Sequence, residues 1–380
     1  MVNSNANALG IIFPNSYDSL VPQLVSERLM ASIPFAGRYR MVDFILSSMV
    51  NCGIDNISLI VRKNYHSLMD HLGAGREWDL TLKNGGLNIV PPFAQKTVKV
   101  YNGRVEALAS ILNFLRSQKE KYVIMADTNI AVDFDFNAMI DAHVASGADV
   151  TIAYRQEDAC KCNAMHRLVN KDLYYTMDME DGRVREIKIN PQDEGMQNLS
   201  MNIYVVDREL LIQQIGRAYA HGYVYFERDI LAPHLDTLNV QGYKYEGYVA
   251  RICDIKSYFD ENMKLLDEKN LDALFSENPI YTKIRDDNPT RYITGAIAKN
   301  IMVADGCVIE GEVENSILFR GVKVAKGARV KNCILMQDTV IAEGASVEYL
   351  ITDKNVTVTN GKDLKGTDSF PVYVSKGQTV

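Results

Sequence analysis

Cysteine, tryptophan and long apolar runs are scarce in this chain. Its six cysteines and one tryptophan are spread over 380 residues. That density supports no disulfide framework, and the cysteines read as reduced, structural thiols of a cytosolic protein. Cys160 and Cys162 form the one close pair, and a Cys-x-Cys alone is a weak metal signal. The opening MVNSNANALG has neither a basic region nor an apolar stretch, so no secretory signal is expected. No segment approaches the ~20 apolar residues of a membrane span. Positive charge is not in excess either. A net charge of −7 and a pI near 5.5 exclude a broad nucleic-acid surface but allow local basic pockets. Two further absences are local. No glycine follows Gly10 until Gly37, and no arginine precedes Arg28.

What is present is ordinary globular composition, 47% hydrophobic and 23% charged, in a chain longer than one compact domain needs. Short apolar runs at Leu9–Phe13, Ile57–Val61, Tyr122–Ala126 and Asp149–Tyr154 read as strands, with a further one at Met201–Val206. Helical spacing at Met41–Val50, Ala107–Arg116 and Phe136–Ser146 falls between them. The alternation predicts an α/β domain with a mostly parallel, Rossmann-like sheet and helices on both faces. Ligands in such sheets sit at the carboxyl ends of strands, where Asp127 stands. Ser257–Asp272 reads as a connecting helix, His66 and His71 as helix surface, and Trp78 as packing. From about Arg291 apolar residues recur six apart: Ile297 and Val303, Val324 and Val330, Ile334 and Val340, Ile341 and Val347. Gly306, Gly311, Gly327 and Gly344 punctuate the run. A hexapeptide period reads as a parallel β-helix. The expected divisions are residues 1–256, a helical linker over 257–290, and the β-helix over 291–370.

One stretch organises the rest. Ile33 to Phe44 reads IPFAGRYRMVDF. It resembles the P-F-G-G-[KR]-[YF]-R-[IML]-[IV]-D-F block of bacterial ADP-glucose pyrophosphorylases (glucose-1-phosphate adenylyltransferases), which make ADP-glucose and diphosphate from ATP and glucose 1-phosphate for glycogen. Phe226–Leu231, FERDIL, resembles that family's F-G-x-D-[IL]-[IL]. Ser200–Tyr204, SMNIY, resembles S-M-G-I-Y, and Tyr101–Leu108, YNGRVEAL, resembles Y-x-G-T-A-D-A. The resemblance covers nearly the whole chain. It implies an N-terminal nucleotidyltransferase (GT-A-like) domain and a left-handed C-terminal β-helix.

Nucleotidyl transfer needs backbone amides around a triphosphate, carboxylates holding Mg²⁺ and a positive group on the sugar phosphate. The resembling sequences carry G-G-x-G-x-R-L after the first strand. Here residues 11–24 read IIFPNSYDSLVPQL. Pro14 removes an amide, Phe13, Asn15 and Tyr17 add bulk, and Asp18 adds negative charge. The lysine expected shortly before the block falls on Met30. Asp127 matches the first metal aspartate, followed by Thr128 rather than histidine. The second falls on Arg251 in YVARICDI; a register three residues later would restore Asp254, and Arg251 itself could stand in for the metal's charge. The Glu-Lys-Pro turn for the sugar phosphate becomes IKINP, with Ile189 and Asn190 at the Glu and Lys positions. Lys188 is displaced by two, which predicts the same strand face as Asn190. Substrate-site remnants are therefore Lys188, Asn190, Tyr101 and Gly103, and no catalytic set is intact.

Several separate sites are altered while the scaffold blocks persist. The pattern resembles the GlgD-type branch of the family, regulatory subunits that associate with a catalytic pyrophosphorylase subunit. That resemblance implies a cytoplasmic hetero-oligomer, a homo-oligomer when alone, no cofactor of its own (Mg²⁺ serving the catalytic partner), and no nucleic-acid or membrane partner. It also places candidate anion-effector residues at Arg28, Arg38 and Arg40, for phosphate or a sugar phosphate. The competing expectations are a weakly active enzyme of the same type and a transferase with another substrate. Hexapeptide acyltransferases need a histidine in the β-helix, and all six histidines here precede residue 235.

Overall fold

The computed structural model describes residues 7–92, 101–158, 174–191 and 195–380. Cys160 and Cys162 lie outside them. Cys52, Cys253, Cys307 and Cys333 are buried free thiols.

The first domain is built on a nine-stranded sheet. In chain order its strands are β1 (Ala8–Phe13), β2 (Asn56–Ile60), β3 (Gly86–Val90), β4 (Tyr122–Asp127), β5 (Val150–Asp158), β6 (Tyr175–Glu180), β7 (Arg183–Ile189), β8 (Met196–Asp207) and β9 (Val240–Lys244). The spatial order is β3-β2-β1-β4-β8-β5-β9-β7-β6. The first four pair in parallel, while β8 runs antiparallel to β4 and β5. The parallel half holds the expected cleft. Its strands read as continuous apolar runs because both faces are covered. Leu9, Ile11 and Phe13 enter one core, and Ala8 and Ile12 enter the other.

Helix α1 (Met41–Asn51) buries its first nine residues and is a central element, not a surface one. The helical spacing over Ala107–Arg116 resolves into two pieces, α2 (Arg104–Ser110) and α3 (Leu112–Ser117), broken at Ile111, whose φ of −111° and ψ of 13° leave the helical region. Both pieces still pack on α5 (Arg208–Ala220). Between them in sequence, α4 (Phe136–Ser146) matches the expected span, with Asp135 accepting from the Ala138 amide at 3.0 Å and Gly147 closing the end at φ +58°. The connecting helix is likewise two, α6 (Ile255–Lys264) and α7 (Glu268–Phe275), because Asp267 caps a fresh start.

Beyond residue 290 the strands pair in parallel, and Val324, Ile341 and Val358 stack in successive coils of 17 residues. The same step links Ile317, Ile334 and Ile351. This is the left-handed β-helix expected of hexapeptide repeats. Val324, Val330, Ile341 and Val347 fill its interior. Ile297 is exposed instead, because the first coil has none before it to bury against. Ile317, Ile334 and Ile351 turn outward into a shared apolar cluster with Phe35, Phe44 and Tyr258. The β-helix therefore packs on the organising turn of the first domain.

No helix among the described residues is long and apolar enough to cross a membrane.

Candidate functional site

Two clefts bear on function. The first opens at the carboxyl ends of β1 and β4, with a volume of about 650 Å³. The loop after β1 enters it as side chains. Asn15 accepts from the Arg62 amide at 2.8 Å and donates to Asp18 at 2.7 Å. Asp18 accepts from the Met30 amide at 2.8 Å. Tyr17 is buried, and its hydroxyl accepts from the Asn202 side chain. Asn202 holds φ +53°, a left-handed conformation suited to the glycine of the resembling S-M-G-I-Y block. Bulk and side-chain hydrogen bonds occupy the place where a glycine loop would offer backbone amides.

Asp127 ends β4 on the floor of this cleft, buried. One carboxylate oxygen accepts from Ser16 at 2.7 Å, and the other accepts from Arg104 at 2.8 Å. Arg104 begins α2, and its other terminal nitrogen pairs with Glu227. Tyr204 donates to the same Glu227 oxygen at 2.8 Å. Burial works to lower the Arg104 pKa, but Glu227 and Asp127 together hold it well above its ordinary value. The guanidinium is thus a fixed cation. Tyr101 lines the cleft and donates to the Val61 carbonyl at 2.8 Å. Gly103 is required by a close approach, since a Cβ there would meet the Val224 carbonyl oxygen at 2.3 Å.

Arg251 does not take over the metal's charge. It is buried, pairs with Glu157 at 3.2 Å and donates to the Ser200 carbonyl at 3.4 Å. Asp254 is no second metal ligand either. It is the N-cap of α6, accepting from the Ser257 amide at 2.6 Å. A divalent metal does not fit this donor set. Both Asp127 oxygens are engaged, a guanidinium lies between Asp127 and Glu227, and among the described residues no three His, Cys, Asp or Glu side chains converge.

Lys188 and Asn190 do not share a strand face. The strand ends at Ile189, and Asn190 turns away at φ +46°, its amide donating to the Tyr174 carbonyl at 2.7 Å. Lys188 pairs with Asp178 at 2.8 Å. Neither is among the residues that line the cleft.

The second cleft lies between the organising turn and the β-helix. Arg38, Arg40, Lys283, Arg285, Arg320 and Lys354 line it, and among the described residues no carboxylate does. Arg40 donates to the Ser67 carbonyl at 2.7 Å, and burial lowers its pKa to about 10. His71, expected at a helix surface, is buried here, because its Nε2 lies 2.6 Å from the buried Asp43. Trp78 is buried as expected and donates to Ser47 at 3.2 Å. Arg28 is not part of this cleft lining. Its Nη2 donates to both carboxylate oxygens of Asp353 of the β-helix, at 2.6 and 2.9 Å. Lys283, Arg285, Arg320 and Lys354 escaped the sequence reading, because only the docking of the β-helix brings them beside Arg38 and Arg40. Arg104 and Glu227 left a visible signal: opposite charges replacing uncharged residues in two blocks that resemble the family's.

A strand-end aspartate in a mixed α/β sheet, followed by a hexapeptide β-helix, defines a sugar-nucleotide nucleotidyltransferase architecture. The family comparisons agree. The model for nucleotidyl transferases matches residues 23–268, and that for the GlmU-like C-terminal hexapeptide matches residues 284–369. The chain is similar to glycogen biosynthesis protein GlgD of Bacillus subtilis (strain 168), 34% identical over 98% of this chain and 97% of that one. It is similar to the protein of the same name from Geobacillus stearothermophilus at 38%, with the same coverage. Glucose-1-phosphate adenylyltransferase of Geobacillus stearothermophilus is 31% identical over 85% of this chain and 82% of its own length. The chain therefore belongs to the nucleotidyl transferase family, in the group that unites GlgD proteins with glucose-1-phosphate adenylyltransferases.

Proposed function

We propose that this chain is a non-catalytic, regulatory subunit of glucose-1-phosphate adenylyltransferase in cytoplasmic glycogen biosynthesis, acting on a catalytic homologue. The observation that carries the reading is the cleft floor: the one remaining metal aspartate is held by the chain's own Arg104 and Ser16. The second position carries Arg251, while the fold around both is whole. The chain keeps the means to assemble and lacks the means to turn over. Closed oligomers of this kind repeat their interfaces, so a pseudo-symmetric heteromer can replace a homomer. Alone, the chain forms a homo-oligomer. Size-exclusion chromatography and co-purification with the catalytic homologue test the association; chains that stay separate at micromolar concentration contradict it.

The basic cleft is the proposed effector site, for phosphate or a sugar phosphate. Arg38, Arg40 and Arg285 offer guanidinium groups suited to phosphate oxygens. Lys354 makes the site responsive to pH. Burial, followed by Arg40 and Arg28, pushes its pKa down to about 7, against the pull of Asp353. With a folded value below the unfolded one, Lys354 is mostly neutral above pH 7, and folding stability rises with pH between about 7 and 10. A bound anion favours the charged form, so binding above pH 7 takes up a proton. Sulfate, which does not titrate in this range, is expected to raise the melting temperature at pH 6.5 and to lose affinity toward pH 9, by up to about tenfold per unit. His71, pushed below its ordinary value chiefly by burial, titrates outside that window. Arg40→Ala should abolish the sulfate effect. A sulfate response that is flat with pH, or retained in Arg40→Ala, counts against the site.

A further inference from the structure

Arg104 and Glu227 both depart from the resembling blocks, and they meet. Arg104 stands at the threonine of Y-x-G-T-A-D-A, and Glu227 at the glycine of F-G-x-D. They are 123 residues apart in sequence and sit on different walls of the cleft, one opening α2, the other in the turn Phe226–Leu231. The side chains of Arg104, Asp127 and Glu227 are 10%, 1% and 5% exposed, so each charge depends on the others for compensation. Introducing the arginine or the glutamate alone would alter that balance in a place water barely reaches. The guanidinium also lies 4.9 Å from the Phe13 ring centre and 5.1 Å from that of Tyr204, two faces that favour a cation.

We propose that Arg104, supported by Glu227, is this chain's built-in substitute for a divalent cation. A covalently attached guanidinium holds the strand end, the start of α2 and the Phe226–Leu231 turn together with no metal bound. It excludes divalent ions because it already holds the Asp127 oxygen that such an ion would need. The mismatch between the donor set and the family's Mg²⁺ is then a replacement of the metal and not only its loss. This inference does not depend on the regulatory reading, since it would hold for an idle homologue as well.

The test uses the full chain as wild type, Arg104→Thr, and the double variant Arg104→Thr/Glu227→Gly. Each is measured by thermal unfolding with and without MnCl₂ and by Mn²⁺ electron paramagnetic resonance. Wild type should bind no Mn²⁺ below millimolar concentration, and its melting temperature should not respond. Arg104→Thr should melt lower, bind Mn²⁺ at least tenfold more tightly than wild type, and regain part of its stability with the metal. The double variant should melt above Arg104→Thr without metal, because the acid leaves with the base, and should bind Mn²⁺ more weakly. If Arg104→Thr does not fold, a folded double variant still shows the interdependence. The proposal is overturned if wild type binds Mn²⁺ as tightly as Arg104→Thr, if Arg104→Thr is as stable as wild type, or if the double variant melts no higher than the single one or fails to fold.

Discussion

Arg28→Met is expected to lower the stability of the chain by roughly 3–5 kcal/mol, the usual consequence of leaving a buried charge without its partner. The Arg28 and Asp353 side chains are 5% and 1% exposed, and their contacts are 2.6 and 2.9 Å. Tyr373 donates to Asp353 at 2.7 Å, and so does the Lys354 amide. These bonds fix the carboxylate in place, so it cannot turn to water when the guanidinium is removed. The pair joins the first domain to the β-helix across 325 residues of sequence. Its loss should therefore be felt as a loosening of that junction as well as in global stability. Urea denaturation measures the effect. Replacing both partners with apolar residues, Arg28→Met with Asp353→Leu, should recover much of it, because the unpaired charge is then gone. A single-variant loss below about 1 kcal/mol, the range of exposed pairs, would show that the junction is wetter or weaker than the geometry says.

The isolated chain is expected to make ADP-glucose at least roughly 10³-fold more slowly than catalytic members of its family. The resemblance places three departures at the reacting groups: Tyr17 and Asn15 where an amide cradle would lie, Arg251 at the position of the second metal carboxylate, and Asn190 at that of the sugar-phosphate lysine. Each charge-assisted contact is worth about 1.5–3 kcal/mol, and each ~1.4 kcal/mol is tenfold in rate. The contacts act on one transition state, so their losses compound. The check is a sensitive assay of the purified chain beside Asp127→Asn. Residual activity equal in the two is contamination. Turnover at rates normal for the family and abolished by Asp127→Asn would mean that the cleft rearranges to admit metal.

Much of this fold is readable in the sequence because it rests on local patterns. The apolar runs around Ile11, Leu59 and Ile124 have one reading in an α/β chain, and the six-residue spacing of Val324, Val330, Ile341 and Val347 maps directly onto stacked coils. Breaks inside elements are harder. Ile111 interrupts a helical pattern with no glycine or proline to mark it, and only the backbone dihedrals reveal the two pieces. His71 shows the limit of spacing arguments, because its burial depends on Asp43, 28 residues earlier. At the site, the substitutions were legible but their partners were not. Arg251 was one candidate to stand in for a metal's charge, yet it pairs with Glu157, and the guanidinium beside Asp127 is that of Arg104, which opens α2. Arg28 looked like an effector residue until the β-helix supplied Asp353. Pairings across hundreds of residues are set by docking, which no window of sequence contains.

The central claim is that the chain alters a catalytic homologue and does no chemistry itself. Its most direct test is steady-state kinetics of ADP-glucose synthesis by the catalytic homologue alone and mixed with this chain at a fixed total of catalytic subunit. The prediction is a complex on size-exclusion chromatography and a shift in apparent substrate affinity, maximal rate or effector response of about 5–150-fold, the range of coupling between sites on separate subunits. That shift should survive Asp127→Asn in this chain. Kinetics that are unchanged on mixing at micromolar concentration, or a gain that disappears with Asp127→Asn, would contradict the account.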